Sequence, residues 1–199
     1  MTTDHLEASV ADPTTFTVRR TITIAAPIET VWQAVTEPEH ISRWFGRADF
    51  ASTSAGSLGT LTWDGYGSVP IRIESVDAPR SITYRWANDD ALGTPPTEVT
   101  PGNSTVFTFD LVPIDGGTQL TVVETGFEQT SAPLVNLEAH RTGGAGELDK
   151  LIALLGGRPC ARARSSRCTP PSPTRRAGPS SRRSARATPR PRRSPPACR

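Results

Sequence analysis

Residues 104–125 read STVFTFDLVPIDGGTQLTVVET, and their reading decides the fold. Phe107, Phe109 and Leu111 stand at every second position, with Thr and Asp between them. A period of two marks a half-buried strand. Leu120 and Val122 repeat the pattern after Asp115-Gly116-Gly117. Glycine supplies the positive φ that tight hairpin turns require. Strands joined by so short a connection run antiparallel, because a parallel crossover needs a dozen or more residues.

Working outward, residues 15–24 place Phe16, Val18, Ile22 and Ile24 in a similar alternation. Residues 57–63, 68–76 and 81–86 are rich in β-branched and aromatic side chains, and Asp64-Gly65 and Asp77-Ala78-Pro79-Arg80 punctuate them. The strand readings next to the hairpin are 104–112 and 118–125, and residues 88–102 read as a long polar loop. Between the first strand and the others, Pro27 suits a first helical turn, and Val31, Trp32 and Val35 make one apolar face. Pro38 ends that helix. A second short helix follows, with Glu39 in its first turn and Ile41, Trp44 and Phe45 on one face. The last element spans about 132–155, where Leu137, Leu148, Leu151, Ile152 and Leu155 can line a face. Gly143, Gly144 and Gly146 interrupt it, each costing about 1 kcal/mol relative to Ala, so a break or kink is expected there. Gly156-Gly157 fits a C-cap. The class is α+β, with helices gathered on one face of a curved antiparallel sheet.

Composition divides the chain of 199 residues in two. Residues 1–156 carry 9 Lys+Arg against 20 Asp+Glu, a net charge of −11; residues 157–199 carry 13 Arg and no acid. That tail also holds all three cysteines and no large apolar residue, so nothing in it can offset the entropy of ordering. The expected organisation is a disordered leader over 1–14, one domain over 15–156 and a disordered Arg/Pro/Ser-rich tail over 157–199. The tail has three readings: a phosphate-binding arm for nucleic acid, an idle extension, or out-of-frame translation of GC-rich DNA. Its restricted composition favours the last. No stretch reaches the roughly 18 apolar residues of a membrane span, and residues 1–14 lack the apolar core of a signal peptide. A cytoplasmic location is expected. The absence of cysteine from 1–156 excludes a disulfide scaffold and a cysteine-ligated zinc site there.

Four stretches carry a resemblance. They are AAPIETVWQAVTEPEHISRWF over 25–45, IESVDAPRSITYRW over 73–86, STVFTF with GTQLTV over 104–109 and 117–122, and Gly143 with ELDKL over 147–151. Together they resemble the SRPBCC, or START-like, superfamily, and within it the bacterial homologues of the activator of the heat-shock-protein-90 ATPase. The resemblance covers about 15–155 and implies a helix-grip fold: a curved sheet wrapped around a long C-terminal helix, with an apolar cavity between them. Family members usually carry Trp after the glycine of that helix, where this chain has Gly144, which implies a wider cavity or a looser helix.

No catalytic set, cofactor or metal ligand group is expected. Candidate ligand-binding residues are Phe45, Trp63, Tyr84, Trp86, Phe107, Phe109, Phe127, Leu137, His140 and Leu148, although for any single apolar one of them plain core is the commoner role. His140 is the leading polar candidate because histidine titrates near neutrality. His5 falls in the leader, and His40 reads as a helix surface residue. The acidic residues read as solvated faces. Gly65-Tyr66-Gly67 is no nucleotide fingerprint, lacking the strand, loop and helix around it.

The first functional expectation is binding of a small hydrophobic or amphipathic ligand in the cavity, without catalysis. One alternative is an interaction module acting on a chaperone, in a stress response. Another is a polyketide cyclase or aromatase-like enzyme. Expected partners are a small apolar molecule, a chaperone under the first alternative, no membrane, and nucleic acid only through the tail. The expected assembly is a monomer or weak dimer.

Overall fold

The hairpin of residues 104–125 forms as β7, Thr105–Ile114, and β8, Gly117–Thr125, closed by Asp115 and Gly116. Gly116 takes φ 83°, the left-handed conformation the turn demands. The structure, a computed structural model, describes residues 8–156. The expectations for residues 1–7, His5 included, and for the tail 157–199 lie outside the described residues.

Around the hairpin, eight strands form one antiparallel sheet. They are β1 Val10–Asp12, β2 Thr17–Ile24, β3 Arg47–Phe50, β4 Leu58–Trp63, β5 Gly67–Asp77 and β6 Ser81–Trp86, with β7 and β8. Their order in space is β1-β2-β8-β7-β6-β5-β4-β3. A register shift between Ile73 and Ser75 bulges β5 against β6. Bulges bend and twist a strand and so add curvature to a sheet. Helices α1, Ile28–Thr36, and α2, Pro38–Ile41, follow β2, and α3, Pro133–Leu155, follows β8. This is the expected α+β helix-grip architecture.

Alternation sets the inner face of the sheet. Ile22 and Ile24 of β2, Val69, Ile71 and Ile73 of β5, Ile82, Tyr84 and Trp86 of β6, and Leu120 of β8 are buried. Val31, Ala34 and Val35 of α1 and Leu148 and Leu151 of α3 complete that core. Val18, Phe127 and Leu137 form a second, smaller cluster near the start of α3.

Three features depart from the sequence reading. The leader contributes a strand, β1, whose Val10 to Asp12 pair with Arg19 to Thr17. The second helix is a single turn ending at Ile41, and the chain continues as the short edge strand β3, so Trp44 and Phe45 lie in the connection. Lastly, α3 runs unbroken through Gly143, Gly144 and Gly146. Arg20, buried on the inner face of β2, donates to the Ala145 carbonyl and, at 2.5 Å, to Asp149. The guanidinium thus spans the turn that the glycines weaken. Two strong bonds to one turn offset part of the roughly 1 kcal/mol each glycine costs.

Candidate functional site

A cavity of about 340 Å³ lies between the sheet and α3. Its sheet wall carries Trp86 from β6, Phe107 and Phe109 from β7, and Val122 and Glu124 from β8. Trp44, Phe45 and, from β4, Trp63 close one side. The helix wall carries Ala139, His140, Gly143, Gly144, Glu147 and Leu148. Exposed Tyr66 and Gly143 mark its mouth. The rings pack on one another: Phe45 lies 5.3 Å from Trp63, and Trp86 lies 5.2 Å from Phe107, centroid to centroid and edge to face. Such contacts hold aromatic side chains in fixed orientations.

A polar cluster at one end interrupts this apolar lining. Trp86 Nε1 donates to Glu124 Oε1 at 2.8 Å, and Thr105 Oγ1 donates to the same oxygen. His140 Nδ1 sits 2.9 Å from it. On the other side of the imidazole, Nε2 is 3.3 Å from Asn88 Nδ2, and Asn88 Oδ1 accepts from the Tyr66 hydroxyl at 2.8 Å. Glu124 and His140 are both buried. The His140 ring also meets Trp86 and Phe127 edge to face, at 5.3 and 5.1 Å. Burial pushes the Glu124 carboxyl up, but the charge of His140 and hydrogen bonds from His140, Thr105 and Trp86 outweigh it and hold the group below its ordinary range.

A second buried carboxylate fixes the loop that carries Asn88. Asp89 Oδ1 accepts from Ser131 Oγ at 2.9 Å, Asn136 Nδ2 at 2.7 Å and Ala91 N at 3.2 Å, while Oδ2 accepts from Ser131 N at 2.8 Å. This knot ties the loop to the start of α3. Burial again pushes the carboxyl up, and the bonds from Ser131, Asn136 and Ala91 bring it below its ordinary value.

These two depressed groups set a pH dependence. A carboxylate whose folded pKa lies below its unfolded one contributes stability that is complete above the unfolded value and lost as pH falls through the folded one. The ordinary values here are 4.5 for Glu124 and 3.8 for Asp89. Urea midpoints measured from about pH 7 to about pH 3 are expected to hold steady and then drop below about pH 4.5. The drop is expected to be shallower in Glu124→Gln, which has no carboxyl to protonate.

Of the ten residues expected at the site, Phe45, Trp63, Trp86, Phe107, Phe109, His140 and Leu148 line the cavity. Tyr84, Phe127 and Leu137 do not. The Tyr84 hydroxyl donates to the Val35 carbonyl at 2.8 Å, which holds the ring in the core against α1. Phe127 and Leu137 belong to the second cluster, beyond His140. Sequence reasoning missed Glu124 and Asp89, which are buried and hydrogen-bonded and not on solvated faces. It also missed Tyr66 and Asn88. A Cβ built on Gly143 or Gly144 meets nothing within 4 Å, and both glycines line the cavity. Among the described residues no cluster of His, Cys, Asp or Glu could hold a metal ion. His40 sits on the surface, 3.6 Å from Glu37.

The profile of the family described as activator of Hsp90 ATPase homolog 1-like protein matches residues 25–156. The chain belongs to this family. Solved structures agree on the fold. Protein MLL2253 from Mesorhizobium loti superposes with a TM-score of 0.58 at 24% identity, covering 70% of this chain and 96% of that one. CalU16 from Micromonospora echinospora gives 0.53 at 19%, covering 75% and 83%. The Aha1 dimer from Colwellia psychrerythraea gives 0.55 at 17%, covering 70% and 95%. No curated protein matches the sequence. The match begins at Ala25, so β1 and β2 lie outside it, and it takes in the whole cavity wall.

Proposed function

We propose that this family member binds a small amphipathic molecule in the cavity, its apolar body against the rings and its polar end on the cluster of Asn88, His140 and Glu124. The cavity carries the reading. Ligand sites are concave, about 300–1,000 Å³, mostly apolar and furnished with a few placed polar groups. A space of about 340 Å³ lined by aromatic rings, with one hydrogen-bonded polar end, matches that description. Phe45, Trp63, Trp86, Phe107, Phe109, His140 and Leu148 are the expected residues that take part.

Mass spectrometry of compounds retained by the full chain through purification tests this, together with titration of an apolar fluorophore. The expected result is one-to-one occupancy by a molecule with an apolar body and a polar end. No retained compound and no saturable fluorophore binding would overturn it. A cavity-filling variant gives a second check. Gly144→Leu is expected to stabilise the domain by about 1 kcal/mol in thermal melts, because glycine is a poor helix former. The same variant is expected to weaken ligand binding, since its side chain enters the cavity.

Family membership supports a second reading, an interaction module that stimulates the ATPase of a heat-shock-protein-90 chaperone. Adding the full chain to such a chaperone and measuring ATP turnover tests it; unchanged turnover removes this reading.

A further inference from the structure

The polar end of the cavity is built around one carboxylate of which only half is used. Glu124 is 8% exposed, yet it lines the cavity. Among the described residues, the donors Trp86 Nε1, Thr105 Oγ1 and His140 Nδ1 all close on Oε1, and none closes on Oε2. Each contact on Oε1 comes from an element of the wall itself: β6, β7 and α3. The carboxylate is therefore fixed in rotation, with Oε2 the oxygen left to the cavity. Among the described residues Arg20 Nε is the one buried side-chain nitrogen or oxygen without a partner, so Oε2 is open to the cavity, and a carboxylate oxygen makes stronger hydrogen bonds than a neutral acceptor.

We propose that Glu124 Oε2 is the atom that recognises the ligand, and that the ligand presents a hydroxyl or ammonium donor on a flat apolar body. This rests on the ligand-binding reading above and names the ligand's polar end. The rest of the wall fits the same chemistry. Ring faces of Trp and Phe attract positive charge and repel negative charge. A second carboxylate, Glu147, lies on the helix wall and is held by Lys150 at 2.8 Å. A carboxylate ligand would bring a like charge against Glu124 Oε2. Alcohols, phenols and amines are therefore favoured over acids. Flat bodies suit the helix side of the cavity, where Gly143 and Gly144 present backbone alone.

Three naphthalenes of nearly equal size separate the possibilities: naphthol donates, methoxynaphthalene does not, and naphthoate is an anion. Calorimetric titration of the full chain is expected to rank naphthol tighter than methoxynaphthalene by at least about tenfold, as expected for one hydrogen bond to a charged group. Naphthoate is expected to be weakest. In Glu124→Gln the amide oxygen must stay with the three wall donors, which turns the amide N–H₂ toward the cavity. The preference for naphthol is then expected to vanish. Equal affinity for naphthol and methoxynaphthalene in the wild-type chain overturns the proposal while leaving the cavity a binding site. So does naphthoate matching naphthol, or a preference that survives in Glu124→Gln. Failure of all three to bind overturns the ligand-binding reading, and this proposal with it.

Discussion

Glu124→Ala is expected to destabilise the domain by about 3–5 kcal/mol, the range for removing one partner of a buried charged pair. The loss is large because the carboxylate serves three donors at once. Without it, the Trp86 indole N–H, the Thr105 hydroxyl and His140 Nδ1 all lose their partner inside the protein. Each is buried, so water does not readily replace it. Chemical denaturation of the wild-type chain, Glu124→Ala and Glu124→Gln measures the effect. The glutamine variant keeps an acceptor of the same shape and is expected to retain more than half of the lost stability. Equal stability of Glu124→Ala and wild type would show that Trp86, Thr105 and His140 find other partners.

Asp89→Ala is the second large effect, expected at about 3 kcal/mol, because hydrogen bonds to a buried charge contribute about 1.5–3 kcal/mol and several are lost together. In thermal melts this corresponds to a fall of roughly 10 °C for a domain of this size. The bonds removed join two segments far apart in sequence: residues 89–91 and residues 131–136. Their loss frees Ser131 and Asn136 at the start of α3 and loosens the loop that presents Asn88. Because Asn88 touches both His140 and Tyr66, ligand affinity is expected to fall along with stability. Asp89→Asn is expected to fall between the two, since its amide oxygen still accepts but its N–H₂ faces the Ser131 N–H.

Both carboxylates bear on what a sequence reveals. Glu124 was within reach: β8 alternates Leu120, Val122, Glu124 on its inner face, and continuing the period of two by one step places the acid inside. Reading acids as surface residues hid it. Asp89 was not within reach, because its partners Ser131 and Asn136 lie more than 40 residues away and no local pattern joins them. The inner positions of β6 and β7 follow from alternation, so Trp86, Phe107 and Phe109 were legible as a wall. Alternation does not say which inner residues face a cavity and which fill the core. Tyr84 shares a strand face with Trp86 but meets α1 where Trp86 meets open space. The edge strands β1 and β3 are 3 and 4 residues long, too short for a period to show. Across the glycine turn of the helix, Arg20, 125 residues distant, donates to the Ala145 carbonyl and offsets part of the glycines' cost. Propensity counted over one segment has no access to that bond.

The most direct test of ligand binding in the cavity uses the four tryptophans as reporters. Trp44, Trp63 and Trp86 line the cavity, whereas Trp32 packs on the outside of the core. In nitrogen-15 spectra of the full chain titrated with naphthol, the indole signals of Trp44, Trp63 and Trp86 are expected to shift together, saturably, while Trp32 stays in place. Shifts of equal size at all four, or none that saturate, would contradict a bound ligand between the sheet and α3.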